Sequence, residues 1–227
     1  MEGVGASLVL VAFVSALLVW SGLKKQPGLG VLAALVIIGL VLWSRGDGIG
    51  ALGFAAPASW WDTVVLALLL GVALQGLSIV LVEPLAEKLT GAPHDHSVVA
   101  GVKGSWKAFA LWMLVVWLVV APLEEAIFRG FLMTEIARIV GTGPWATVLN
   151  VLLASVVFGL AHGYQGRSGV VSTGIVAAFL GWIFVASHFD LWLAILTHGF
   201  IDTVGIGLIA VGADEAIRRR LWGTPAR

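Results

Sequence analysis

Three groups of ionisable side chains interrupt the apolar stretches of this sequence. Each group lies within, or at the end of, a stretch that is otherwise almost free of charge. The groups consist of Glu124, Glu125 and Arg129; of His162; and of His198 and Asp202. A charged residue at the centre of a membrane helix costs about 2.5 to 3.5 kcal/mol on insertion scales, so these residues are candidates for a functional site.

The spacing of these residues indicates how helices would orient them. Glu125 and Arg129 are four residues apart and share a helical face, whereas Glu124 points about 100° away from Glu125. The arginine can therefore neutralise Glu125 while Glu124 faces a different cavity. His198 and Asp202 also share a face. The alternative for the first group is a short amphipathic linker at the membrane interface with an ordinary surface ion pair.

Together these side chains have the chemistry to hydrolyse an amide bond. A carboxylate in a low-dielectric cavity can act as a general base on a water molecule that a histidine helps to hold, which suits Glu124 and His162. His198 and Asp202 can donate or orient hydrogen bonds toward the oxyanion that develops. The residues thus predict hydrolysis by activated water.

Other uses of the same residues stay open. Glu124, His162 and His198 resemble the ligand set of a hydrolytic zinc site, although they would come from three helices and no H-E-x-x-H motif is present. A buried carboxylate and histidines can also relay protons in a proton-coupled transporter. A membrane scaffold without catalytic activity is the remaining alternative.

The elements that must position these residues are membrane helices. The 227 residues are 59% hydrophobic and 11% charged, against roughly 25% charged in soluble domains, and the mean hydropathy is +1.03. This composition excludes a soluble globular protein and predicts an all-α, polytopic transmembrane bundle of seven or eight helices with the active site inside. The net charge of zero argues against a nucleic-acid partner, and the absence of cysteine excludes thiolate chemistry.

Seven apolar stretches are candidate membrane spans, and the amphipathic stretch 124–140 is an eighth. The seven are 7–23, 29–43, 63–82, 105–121, 146–162, 170–187 and 190–212. With seven spans, ten of the 13 basic residues fall on the inner side, as the positive-inside rule favours. With an eighth span, six basic residues lie on the inner side and six on the outer side. We divide the chain into N-terminal helices with a long polar loop at 1–104, a helical core at 105–212 and a basic tail at 213–227.

A predicted hairpin would bring the polar groups together. The turn at 141–144, Gly-Thr-Gly-Pro, predicts an antiparallel pair of helices in which Glu124 and His162 lie at the same depth. His198 follows Asp190 by eight residues, roughly 12 Å into its helix. In the polar loop that we expect between residues 83 and 105, the histidines of 94–96 have the chemistry for a metal site, but we interpret them as an exposed turn.

The three groups, in this order, resemble a known family. Glu124-Glu125-x-x-x-Arg129, Phe158-x-x-x-His162 and His198-x-x-x-Asp202 are similar to the motifs of the CPBP family of intramembrane proteases, which includes CAAX prenyl endopeptidases and bacteriocin-processing or Abi proteins. The resemblance covers about residues 105–212. It implies an intramembrane endopeptidase whose helical core carries the catalytic residues.

The resemblance also implies a role for each position. Glu124 would be the general base, helped by His162, and His198 with Asp202 would stabilise the oxyanion. Glu125, Arg129 and Phe158 would support the site. Eukaryotic CAAX proteases have asparagine where Asp202 stands, so this aspartate would be protonated, paired with imidazolium His198, or an orienting group.

The resemblance also gives expectations for the substrate and the cofactor. The substrate would be a CAAX-like or other C-terminal processing segment that enters from the membrane or its interface, with lipid as the other partner. We expect no cofactor, with zinc as the alternative. Bacterial members of the family often carry aspartate at the position of Asp202. We expect a multi-pass protein of a prokaryotic cell membrane. The oligomeric state does not follow from the sequence.

Overall fold

The computed structural model describes residues 2–223, which form a bundle of eight helices without a β-strand in that range. The helices are α1 (Glu2–Leu23), α2 (Pro27–Arg45), α3 (Trp60–Thr90), α4 (Trp106–Val140), α5 (Pro144–Ala161), α6 (Gly166–Ala186), α7 (Leu191–Val211) and α8 (Ala213–Trp222). Among the described residues, α1 to α7 are long and apolar enough to cross a membrane. The predicted all-α polytopic fold is confirmed, and residues 224–227 of the predicted tail lie outside the described range.

The stretches 105–121 and 124–140 are one helix, α4, so the second stretch is not a separate eighth span. The 35 residues of α4 measure about 52 Å at 1.5 Å per residue, well beyond the ~30 Å of membrane hydrocarbon. The structure therefore has the seven candidate spans that the distribution of basic residues favours.

Two prolines just beyond the predicted stretches 63–82 and 105–121 lie inside continuous helices. Pro84 in α3 and Pro122 in α4 each follow, by two residues, a wide π-helical turn, at Ser78–Val82 and Val116–Val120 respectively. Proline has no N–H and its ring collides with the preceding turn, and a local π turn relieves both problems inside a bundle. The polar loop after α3 consequently begins after Thr90 rather than at residue 83.

A buried ionic cluster ties the first two helices to α4. Arg45 of α2 donates two hydrogen bonds to Glu135, at 2.6 and 3.2 Å, and Ser7 of α1 donates a third at 2.6 Å. Arg138 donates a fourth at 3.0 Å. Because the Glu135 side chain is almost fully buried and its charge is compensated, the cluster fixes the position of α4.

Helices α3 and α7 pack closely because Gly71 has no side chain. A Cβ at this position would lie 2.5 Å from Phe200 Cβ and 3.0 Å from the Thr197 carbonyl oxygen. Gly76, on the same helix, has nothing within 4 Å of the corresponding point. The glycine at 71 thus holds α3 against the part of α7 that carries His198.

We expect Gly71→Ala to lower the free energy of unfolding by about 1 to 3 kcal/mol, because the added methyl group must push α3 away from α7. Gly76→Ala is the matched control and should be neutral or slightly stabilising. Unfolding of the purified protein in detergent, followed by tryptophan fluorescence, measures both. Equal stability of the two variants would contradict the proposed close approach.

Candidate active site

The short segment Ala121–Glu125 of α4 turns two neighbouring carboxylates in different directions. It lies between the π turn that precedes Pro122 and a second π turn at Ala126–Leu132. Glu124 faces a cavity of about 380 Å³ inside the bundle, whereas Glu125 is fully buried among the helices. The two carboxylates therefore point in different directions, as the sequence predicted.

Glu125 is the centre of a fully buried hydrogen-bond network. Its Oε1 accepts from Arg129 Nη1 at 2.7 Å and from His198 Nδ1 at 2.7 Å. Arg129 also donates to the Ala177 carbonyl oxygen at 2.9 Å. Because an ionised carboxylate only accepts, Nδ1 of His198 carries the hydrogen in this arrangement. The network links α4 to α6 and α7 and leaves Nε2 of His198 directed away from Glu125.

His162 is oriented by the helix that it ends. Its Nδ1 donates to the Phe158 carbonyl oxygen at 2.8 Å, and its ring stacks on the Phe158 ring with centroids 4.4 Å apart. Nε2 then faces Glu124, with 3.8 Å between Nε2 and Oε2. Glu124 Oε2 is buried and has no hydrogen-bond partner among the protein atoms. The two groups therefore face each other across a gap that is too wide for a direct hydrogen bond.

Asp202 lies one helical turn after His198 on α7 and lines the same cavity. Its Oδ2 is 3.6 Å from His198 Nε2, and its side chain is 29% exposed, against 15% for Glu124. The structure thus brings together Glu124, His162, His198 and Asp202 at one cavity, as the hairpin argument predicted. Glu125 and Arg129 lie behind that surface, and Phe158 lies between them and His162, with Arg129 Cζ 4.9 Å from its ring centroid.

The walls of the cavity are mostly apolar. They combine valine and isoleucine side chains of α4, α6 and α7 with Trp112 of α4. An apolar cleft with a few convergent polar groups is the usual form of a binding site for an apolar or amphipathic ligand. The arrangement can therefore hold an apolar chain with one polar bond beside Glu124.

The structure adds cavity residues that our sequence analysis left out. Tyr164 lies two residues after His162, with ring centroids 5.4 Å apart, and it is the single tyrosine of the chain. Glu83, His94 and His96 also line the cavity. The interpretation of residues 94–96 as an exposed turn is wrong, because both histidines are partly buried. Burial and the neighbouring His96 lower the pKa of the His94 imidazole to about 3.

The predicted alternative ligand set fits a metal ion poorly. His198 directs one nitrogen at Glu125 and the other toward Asp202, and His162 uses Nδ1 for a backbone carbonyl. Within residues 2–223, Glu124, His162 and His198 do not form a group whose ligand atoms all lie within 4.8 Å of one another. We therefore derive no catalytic step through a metal at these three residues.

Comparison with known families identifies the segment that carries the cavity's central polar groups. A family model described as type II CAAX prenyl endopeptidase Rce1-like matches residues 106–204. The matched segment is similar to the Rce1-like family. It runs from the start of α4 into α7 and contains all seven residues of the three motifs. Searches of curated proteins and of solved structures give no match.

The match confirms the resemblance to CPBP and CAAX proteases. It supports, in general terms, a CAAX-type intramembrane protease and therefore a hydrolase. Together with the seven apolar helices, it also supports an integral, multi-pass membrane protein. The matched segment lies within the predicted core at 105–212, and α1 to α3 lie outside the match.

We expect Arg129→Met to destabilise the folded chain by about 3 to 5 kcal/mol, because Glu125 would remain buried without its guanidinium partner. The double variant Glu125→Gln/Arg129→Met removes both charges and should regain part of that loss. Unfolding curves in detergent for both variants test this expectation. If Arg129→Met were as stable as the wild type, the guanidinium of Arg129 would not compensate the buried charge of Glu125.

Proposed function

We propose that this chain is a glutamate-dependent endopeptidase that needs no metal at its reaction centre. The observation that carries this proposal is the pair Glu124 Oε2 and His162 Nε2, 3.8 Å apart at the cavity surface, with Oε2 unpartnered by protein. An oxygen and a nitrogen at this separation can both contact one water molecule. The family match supports the reaction class, and this geometry supports the choice of base.

The proposed first step is attack of that water on the scissile carbonyl. Glu124 accepts a proton from the water while the water oxygen bonds to the carbonyl carbon. The carbonyl oxygen thereby becomes an oxyanion. His162, held by the Phe158 carbonyl, orients the water through Nε2. The C–N bond then breaks, Glu124 returns the proton to the leaving amine, and the products are a carboxylate and an amine.

His198 is the proposed donor to the oxyanion. With Nδ1–H committed to Glu125, the imidazolium form also presents Nε2–H to the cavity. Asp202, 3.6 Å from Nε2, pairs with that imidazolium and orients it. This arrangement reconciles an aspartate with a site that stabilises negative charge, because the imidazolium charge compensates the charge of the carboxylate.

The proposed substrate is a CAAX-like or other C-terminal processing segment. The apolar walls of the cavity suit its aliphatic side chains and a lipid chain attached to it. We propose that this segment enters from the membrane or its interface and that only the bond beside Glu124 meets polar groups.

The test is cleavage by the purified chain in lipid vesicles. Farnesylated and unprenylated peptides ending in a CAAX sequence are supplied, and the release of the C-terminal fragment is followed by mass spectrometry. Cleavage of either peptide that depends on Glu124 supports the proposal. Proton-coupled flux that depends on Glu124 in the same vesicles, without cleavage of any peptide or membrane protein, would instead support a transporter.

We expect Asp202→Asn to keep activity within about tenfold of the wild type, because asparagine has the same shape and keeps an oxygen beside His198 Nε2. Asp202→Leu removes the hydrogen-bonding group and should lower kcat further, with little change in KM. Steady-state kinetics on the better peptide measures both variants. Equal activity of the asparagine and leucine variants would contradict an orienting role for Asp202.

A further inference from the structure

A second group of polar side chains lies in the wall of the cavity, away from the reaction centre. Glu83 comes from α3, just after the π turn, and His94 and His96 come from the loop between α3 and α4. Within residues 2–223 these three form the one group of carboxylate and imidazole side chains whose ligand atoms all lie within 4.8 Å of one another. They belong to a part of the chain that the family match does not cover.

The contacts within this group are too long for hydrogen bonds. Glu83 Oε2 lies 3.7 Å from His96 Nε2 and 3.6 Å from the nearest nitrogen of Arg218. Zinc binds imidazole nitrogen and carboxylate oxygen at about 2.0 to 2.2 Å, which places two ligand atoms about 3.4 Å apart in a tetrahedral site. The Glu83 to His96 separation is close to that value, and the stacked rings of His94 and His96, with centroids 4.2 Å apart, must rotate for both to face one ion.

The loop that carries the histidines is held in place before any ion binds. Glu87 Oε1 accepts from the His94 backbone N–H at 2.8 Å, and Asp95 N–H donates to the Gln165 carbonyl oxygen at 3.0 Å. Asp95 Oδ1 in turn accepts from the Ser97 backbone N–H at 2.9 Å. A site on such a loop loses little conformational freedom when it binds a ligand.

Ser172 lies beside the ring of His94. Ser172 Oγ is 3.2 Å from the Gly169 carbonyl oxygen and 3.3 Å from His94 Nδ1. When the Ser172 hydroxyl donates to this carbonyl, its oxygen accepts from Nδ1–H, which leaves the lone pair of His94 on Nε2. Histidines that bind metals commonly donate their other N–H in this way.

We propose that Glu83, His94 and His96 bind a zinc ion in the cavity wall, with water in the fourth position. Two imidazoles and a carboxylate are ligands that zinc accepts. The ion joins α3 to the loop and fixes that wall beside the reaction centre, whose residues it does not touch. Arg218, which also contacts Glu87, is the competing cation for Glu83.

The test is zinc binding to the full chain, purified through a tag without histidine and stripped with a chelator. Equilibrium dialysis with Zn²⁺ and elemental analysis should give about one ion per chain. His96→Ala and the nearly isosteric Glu83→Gln should weaken binding by more than about 100-fold, and Ser172→Ala by about tenfold, since outer-shell changes typically cost 10- to 100-fold. Arg218→Gln should tighten binding, because it removes the competing charge.

Matched variants separate this site from other histidines. His188→Asn, at an exposed turn, and Glu124→Gln, at the reaction centre, should both leave the zinc stoichiometry unchanged. Unfolding curves of the stripped variants confirm that each is folded. A wild-type protein that binds no zinc would overturn the proposal. So would zinc binding that is lost in Glu124→Gln but kept in His96→Ala and Glu83→Gln.

Discussion

Glu124→Gln is expected to reduce the rate of peptide cleavage by about 10²- to 10⁴-fold, the contribution typical of a positioned general base. Glutamine keeps the shape of the side chain but does not accept a proton from water at neutral pH. The loss should fall on kcat, because the cavity walls that bind the substrate are unchanged. Kinetics on the CAAX peptides, with substrate above KM, measures it.

The same variant should remain folded. Glu124 Oε2 makes no hydrogen bond within the protein, so its replacement breaks no internal contact. Glu215→Gln is the matched control, because Glu215 lies on the exposed face of α8 and pairs with Lys103 outside the cavity. It should cleave at the wild-type rate. An unfolded Glu124→Gln protein would assign this residue a structural role instead.

His198→Ala is expected to cost about 10²- to 10³-fold in kcat, the range found when one oxyanion donor is removed. This variant also removes one of the two donors to Glu125 but leaves the 2.7 Å hydrogen bond from Arg129. The fold should therefore survive with reduced stability. His188→Asn, an exposed histidine outside the cavity, is the control for kinetics and unfolding. A His198→Ala protein with wild-type kcat would contradict the proposed donor.

Local spacing predicted much of the site. Four-residue separations placed Glu125 with Arg129 and His198 with Asp202, and both pairs are neighbours in the structure. The glycine and proline turn at 141–144 predicted the antiparallel arrangement that brings Glu124 to His162. These relations follow from helix geometry, which a sequence expresses directly.

Relations between distant segments could not be predicted in the same way. Nothing local to Glu125 indicates that His198, 73 residues later, donates to it. The same holds for Glu135, which binds Arg45 and Ser7 from two other helices. Such contacts depend on how helices pack, and single-sequence patterns do not encode the register between them.

Two errors had local causes. The stretches that we ended at residues 82 and 121 continue through Pro84 and Pro122, because π turns accommodate these prolines inside the bundle. The polarity of residues 94–96 indicated an exposed turn, yet the loop folds onto α3 and α6, where Glu83 and Ser172 meet the histidines. A short polar segment between membrane spans can therefore line a cavity as well as face water.

Single-turnover cleavage tests the central claim most directly. Excess wild type or Glu124→Gln, each with chelator or with added zinc, is mixed with a CAAX peptide in vesicles, and the new carboxyl terminus is measured by mass spectrometry. The proposed mechanism predicts cleavage by the wild type with or without zinc, and a rate at least about 100-fold lower for Glu124→Gln in both conditions. Cleavage by Glu124→Gln within tenfold of the wild type would contradict it.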